Sequence, residues 1–226
     1  KGIFPKKMYD IDQRTIFTKQ MKINHTILSP QMSPIHFQFL EIACRIHGYK
    51  VEVLPAVDKE AIDEGLKYVN NDACYPSIIV AGQVMHAINS GKYDLNNTSV
   101  IISQTGGGCR ATNYIAFIRK ALKDSGNGHI PVISLSAGGI EKNPGFSLSI
   151  SMINRLLISI LYGDLLERVL YKVRPYEKTR GMANALYEKW CKIINDSLYN
   201  KQFIKDFRKN IKLITKEFDE LPISDI

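Results

Sequence analysis

The six residues Thr98–Ser103, TSVIIS, are apolar or β-branched without alternation, and they run straight into QTGGGCRATNY, Gln104–Tyr114. A strand covered on both faces reads this way, whereas a half-exposed strand alternates. Beyond the glycines, Tyr114, Ile115, Phe117, Ile118, Ala121 and Leu122 recur at helical spacing within Ala111–Lys123. A buried strand, a glycine turn and a helix make up the repeating piece of a parallel α/β sheet.

The neighbouring segments extend this pattern. His25–Pro30 (HTILSP) reads as a short buried strand, and Ser33-Pro34 as the N-cap and first residue of a helix. That helix carries Ile35, Phe39, Leu40, Ala43, Ile46 and His47 at helical spacing, and Gly48 stops it. Tyr49–Leu54 (YKVEVL) alternates as a second strand. Helices are expected from Lys59 to Val69, ending at Asn70-Asn71-Asp72, and from Pro76 to Asn89, breaking at Ser90-Gly91. Pro131–Ser136 (PVISLS) is a further buried strand, and helical periodicity returns over 148–171, 182–198 and 203–218. The expected fold is therefore α/β: a Rossmann-like parallel sheet flanked by helices, with additional C-terminal helices. Its expected parts are an irregular N-terminal extension, 1–24, an α/β domain, 25–147, and a helical segment, 148–226, leading toward a further domain.

At 226 residues, 45% hydrophobic and 23% charged, the chain has the composition of one large or two small globular domains. No apolar run reaches the ~18 residues of a membrane span. No secretory signal opens the chain, which therefore reads as cytoplasmic. Because it starts at Lys1 rather than methionine, it reads as a piece of a longer protein. The net charge of +8 comes from scattered lysines. Lys201, Lys205, Lys209 and Lys212 form a solvated helix face, with no recognition helix or stacking aromatics to suggest nucleic acid. A basic surface of this kind suits an acidic protein partner or an anionic cofactor or substrate.

The four cysteines are Cys44, Cys74, Cys109 and Cys191, with no CxxC pair among them. A cytoplasmic chain with this spacing has neither a disulfide framework nor a zinc ribbon. Any metal must be gathered from distant segments.

The loop ahead of Cys109 admits three uses. Three glycines leave backbone N–H groups open to an anion, but GxxxxGK[ST] and GxGxxG are both absent. A thiol at a helix start beside Arg110 favours its thiolate and suits nucleophilic chemistry. None of His25, His36, His47, His86 and His129 falls in a partner motif for such chemistry. The same environment suits a thiolate metal ligand, with glycine amides hydrogen-bonding cluster sulfides. NNDACYPS, Asn70–Ser77, repeats the arrangement: a turn expected on the strand side, a cysteine, then a helix start. If the two loops flank neighbouring strands, Cys74 and Cys109 face one crevice. Cys44 and Cys191 read as packing residues, with Cys191 the candidate for a further ligand.

Taken together, HTILSPQMSPIHF, YVNNDACYPSIIVAGQ, SQTGGGCRATNYIAFIRKAL and GDLLERVLYKVRPYE resemble the 2-hydroxyacyl-CoA dehydratase superfamily. The likeness is to the dehydratase-like, cluster-binding region of the large activase-related proteins, and it covers about Gln13 to Trp190. It implies a [4Fe-4S] or larger iron-sulfur cluster and electrons delivered at low potential by an ATP-hydrolysing activator domain or protein. Cys74 and Cys109 match the family's cysteine motifs as metal ligands. Gln104, Thr105, Gly106, Gly107, Gly108, Arg110 and Asn113 would shape the cofactor-binding surface, with Gln83 nearby.

A third cysteine in an equally clear motif is missing, so Cys191, a residue outside this sequence or another subunit of an oligomer would supply that ligand. No ATPase signature occurs. The expected role is an iron-sulfur component of an ATP-driven electron-transfer or reductase system. Two alternatives stand beside it: a subunit dehydrating 2-hydroxyacyl-CoA directly, and a non-catalytic regulatory or assembly module without a cluster.

Overall fold

The structure, a computed structural model, describes residues 14–55, 58–104, 107–135, 141 and 143–224, without the side chain of Arg110. It confirms a Rossmann-like parallel α/β fold with C-terminal helices and divides into two compact units. The first comprises Lys1–Pro30 and Val57–Ser147, the second Gln31–Ala56 and Leu148–Ile226.

In the first unit, β3 (Thr98–Ser103) lies between β1 (Thr26–Ser29) and β4 (Val132–Leu135), all parallel. Thr26 pairs in register with Thr98, and Val100 with Val132. Every β3 residue except Ser103 is buried, which accounts for its unbroken apolar run. Three helices accompany these strands: α3 (Lys59–Tyr68), α4 (Tyr75–Asn89) and α5 (Tyr114–Asp124). Asp58 caps α3, its carboxylate accepting from the Ala61 N–H at 2.8 Å.

Helices α3 and α4 approach each other through glycine. A Cβ at Gly65 would meet the Ile78 carbonyl oxygen, and one at Gly82 the Ala61 carbonyl oxygen. Both obstacles are backbone, so neither can swing away.

One element departs from expectation. Lys19–Asn24 forms a short helix, α1, where the sequence pattern predicts an irregular extension. The Thr18 hydroxyl accepts from the Met21 N–H at 3.4 Å, closing its first turn. None of its six residues is buried, so it lacks the apolar stripe through which a helix declares itself in sequence. Residues 1–13 of the expected extension lie outside the described residues.

Glu141 ties distant parts of this unit together, accepting from Arg119 at 2.7 Å and Arg14 at 2.8 Å. Hydrogen bonding to Arg119, then the charges of both arginines, holds its carboxyl below the ordinary value of 4.5. Its contribution is therefore complete above pH ~4.5 and is lost as pH falls through the lower native value. Glu141→Gln is expected to cost about 2 kcal/mol at neutral pH. It should also flatten the acid limb of stability, read as urea midpoints between pH 7 and 3.

The second unit contains β2 (Val51–Val53), α2 (Pro34–Ile46), α6 (Ile150–Val173), α7 (Met182–Tyr199) and α8 (Phe203–Asp219). Phe39, Tyr162, Leu166, Trp190, Ile194, Leu198, Ile214 and Phe218 form its core. Gly48, at φ 80°, takes the left-handed position that ends α2. The Arg155 guanidinium is buried over the Phe203 ring and donates to the Leu198 carbonyl at 3.0 Å, closing the end of α7. Lys201, Lys205, Lys209 and Lys212 are all exposed, as a solvated face requires. No described helix is long and apolar enough to cross a membrane.

Candidate functional site

Cys109 stands where the segment after β3 turns toward α5. It caps a 3-10 turn, Arg110–Asn113, and its Sγ accepts from the Ala111 N–H at 3.5 Å. Thr112 braces this turn. Its hydroxyl donates to the Gly107 carbonyl at 3.0 Å, and its own carbonyl accepts from the Gln104 amide at 3.4 Å. Gln104 in turn is held through its Oε1, which accepts from the Ser134 hydroxyl on β4 at 2.7 Å. The loop is thereby anchored to two adjacent strands.

Gly107 and Gly108 are exposed, neither has positive φ, and a Cβ at either would meet nothing within 4 Å. Neither crowding within the chain nor backbone strain calls for glycine there. What the two residues provide is an uncovered stretch of peptide beside Cys109. Asn113 is exposed at the end of the turn. Thr105, Gly106 and the Arg110 side chain lie outside what the structure describes.

Cys74 is the N-cap residue of α4, half-buried, with Pro76 in the first turn. Its carbonyl accepts from both the N–H and the hydroxyl of Ser77. It does not follow a strand, as the sequence pattern suggested: its loop joins helix α3 to helix α4.

Cys74 meets α5 through Tyr114, the first residue of that helix, whose hydroxyl lies 3.6 Å from Cys74 Sγ. Burial raises the Tyr114 phenol to about 12, and its contact with Cys74 and the negative charges of Cys74 and Cys109 add to that shift. Cys74 thus meets the first residue of α5 through its side chain, and Cys109 caps the turn that leads into the same residue along the chain. Sequence reading missed Tyr114 because its spacing marks it as a core residue of that helix. Thr112 likewise carries no sequence signal for its role, since its bonds run to a glycine carbonyl and a glutamine amide.

The other sequence candidates fall elsewhere. Gln83 is buried along α4. Cys44 is packed in α2, where burial pushes its thiol up to about 12. Cys191 lies in the core of the second unit, its thiol also raised by burial, and the Gln38 amide donates to it at 3.8 Å. None of the four cysteines is in a disulfide.

Among the described residues, the group of three potential metal ligands whose donor atoms lie within 4.8 Å of one another is Asp58, Glu60 and His86. Both carboxylates are exposed, an arrangement common on protein surfaces without any ion. No described trio of ligand types includes a cysteine.

No protein-family model, curated protein or solved structure matches the chain. Fold and site together define a parallel, Rossmann-like α/β protein with two accessible cysteines, one against the first residue of α5 and one capping the turn before it.

Proposed function

We propose that the chain is an iron-sulfur component of an ATP-driven, low-potential electron-transfer or reductase system related to the 2-hydroxyacyl-CoA dehydratases. The observation that carries this reading is a pair of solvent-accessible thiols at the two approaches to α5: Cys74, 3.6 Å from the Tyr114 hydroxyl, and Cys109, the cap of the turn that runs into Tyr114. Buried structural cysteines look different, as Cys44 and Cys191 illustrate.

The donor set fits a cluster in kind and falls short in number. Thiolates are the ligands iron-sulfur clusters take, commonly four of them, and this unit offers two accessible ones. Cys74 and Cys109 would hold one edge of the cluster, and the remaining ligands come from another subunit or from residues outside this sequence. A bound cluster would supply single electrons at low potential.

The chain's own residues do the rest. The exposed Gly107–Gly108 peptides can donate hydrogen bonds to sulfur, which disperses charge and adjusts potential. Toward a Cys74 thiolate, which can only accept, the Tyr114 hydroxyl would be the donor. Exposed lysines supply a docking face for an acidic activator or an anionic substrate.

The test is anaerobic reconstitution with iron and sulfide, followed by titration with Ti(III) citrate under EPR. The proposal expects the charge-transfer absorbance of a cluster, bleached on reduction with the appearance of a paramagnetic signal. Protein that takes up no cluster in either redox state would belong to a structural or regulatory module instead. Turnover of a 2-hydroxyacyl-CoA by the reduced protein alone would move the assignment to a dehydratase.

A further inference from the structure

In the second unit, a serine, a histidine and an aspartate form a hydrogen-bonded row. Ser33 Oγ lies 2.7 Å from His36 Nδ1, and His36 Nε2 lies 3.0 Å from Asp164 Oδ1. An ionised carboxylate can only accept, so in the neutral ring Nε2 carries the proton and gives it to Asp164. Nδ1 is then left as the acceptor for the Ser33 hydroxyl. This is the proton arrangement that activates a serine nucleophile, with the two ring nitrogens exchanged relative to the familiar protease order.

Three features set the row apart from an incidental contact. Ser33 is the N-cap of α2, where serine ordinarily accepts from an N–H of the first turn, yet its side chain makes no such bond. Serine capping is worth about 1 kcal/mol, and here the hydroxyl is diverted to the imidazole instead.

The first turn of α2 is also left open. Pro34 has no N–H, and the first intrahelical donor to Ser33 is Phe37, whose N–H reaches the Ser33 carbonyl at 3.1 Å. The amides of Ile35 and His36 belong to that first turn, at the positive end of a 13-residue helix, and Ser33 caps neither of them.

Finally, the His36 ring lies flush against α6 at Gly163, where any Cβ would collide with the ring. The imidazole is 14% exposed and fixed in orientation, whereas the Asp164 carboxylate is 64% exposed. Ser33 itself is half-buried.

We propose that Ser33, His36 and Asp164 carry out acyl transfer from small esters or thioesters to water. Ser33 Oγ bonds to the acyl carbon while its proton passes to His36 Nδ1. The carbonyl oxygen, now negative, faces the Ile35 and His36 amides. Collapse breaks the bond to the alkoxide or thiolate, which leaves with the proton from the imidazolium. A water molecule then repeats the sequence: its proton goes to Nδ1, its oxygen joins the acyl carbon, and Ser33 departs and is reprotonated. Ser33 and His36 are catalytic residues here, and Asp164 positions the ring.

The competing account is local: an imidazole at the third helical position leaning back on its cap residue, with an ion pair from α2 to α6. The experiment uses the Cys74→Ser, Cys109→Ser variant, so that no accessible thiol reacts with the probes and loss of any cluster does not bear on the outcome. A fluorophosphonate should label this protein on the Ser33 peptide, identified by mass spectrometry. p-Nitrophenyl acetate should give a stoichiometric burst of p-nitrophenol.

His36→Gln should slow labelling about 100-fold or more, the usual worth of a general base. Asp164→Asn should lower kcat about tenfold with KM unchanged, less than a buried triad carboxylate because this one is largely in water. Urea midpoints of both variants serve as the check on folding. Absence of label at Ser33, or labelling of the folded His36→Gln protein at the parent rate, would reduce the row to a helix cap and overturn the proposal.

Discussion

Replacing Gly82 by valine is expected to be among the most damaging single changes in the first unit. A Cβ at this position would run into the carbonyl oxygen of Ala61 on the facing helix, and backbone cannot rotate out of the way. Glycine-to-alanine in an open helix gains up to ~1 kcal/mol from propensity. The sign should reverse here: relieving the collision means prising α3 from α4, which separates Val69 from Ile78 and Ala81 in the small cluster between them. Overpacking of a close contact costs about 1–3 kcal/mol and more where the obstacle is rigid. The expected loss for Gly82→Val is about 3 kcal/mol or above, with Gly82→Ala smaller but still destabilising. Gly107→Ala, which meets open space, should stay within ~0.5 kcal/mol of the parent. Urea midpoints of the three variants read the contrast directly, and an unchanged midpoint for Gly82→Val would show that the two helices do not approach as described.

The second large effect concerns the cysteines and leaves stability nearly untouched. Cys74 is half-buried and Cys109 exposed, so serine at both positions removes little packing and should shift unfolding by less than about 1 kcal/mol. Iron retention should fall to background, because a serine hydroxyl at neutral pH does not replace a thiolate toward iron. The matching change at Cys44 should do the opposite. Its sulfur is packed in α2, so Cys44→Ser buries a hydroxyl and is expected to cost about 1–3 kcal/mol while iron content stays at the parent level. This crossed pattern, stability lost at one cysteine and iron at the others, is the signature expected of ligands rather than packing residues.

Much of the fold was legible because burial imposes periodicity. The strand Thr98–Ser103 is covered on both faces, so its extent could be read residue for residue. Ser33-Pro34 and Gly48 marked the two ends of α2 through backbone chemistry that holds in any context. Helix α5 begins at Tyr114 rather than Ala111 because Arg110–Asn113 tightens into a 3-10 turn braced by Thr112. No spacing rule announces that brace, since its hydrogen bonds run to a glycine carbonyl and a glutamine. Helix α1 was illegible for the converse reason: it has no buried face.

The site divides along the same line. That Cys109 sits between β3 and α5 followed from the local pattern. That Cys74 contacts Tyr114 did not, because the link is a phenol reaching from the start of one helix to the start of another, 40 positions away in sequence. The Ser33–His36–Asp164 row was further out of reach, since His36 and Asp164 are 128 positions apart. Sequence locates candidates where chemistry is local. Where it depends on two helices meeting, only the fold can bring the partners together.

The most direct measurement is the iron and acid-labile sulfide content of the chain after anaerobic purification and reconstitution, set against the Cys74→Ser, Cys109→Ser variant. The account predicts iron and sulfide in equal, stoichiometric amounts in the parent and neither in the variant, with both proteins unfolding at similar urea concentrations. Parent protein free of iron and sulfide, or a variant that retains them undiminished, would contradict it.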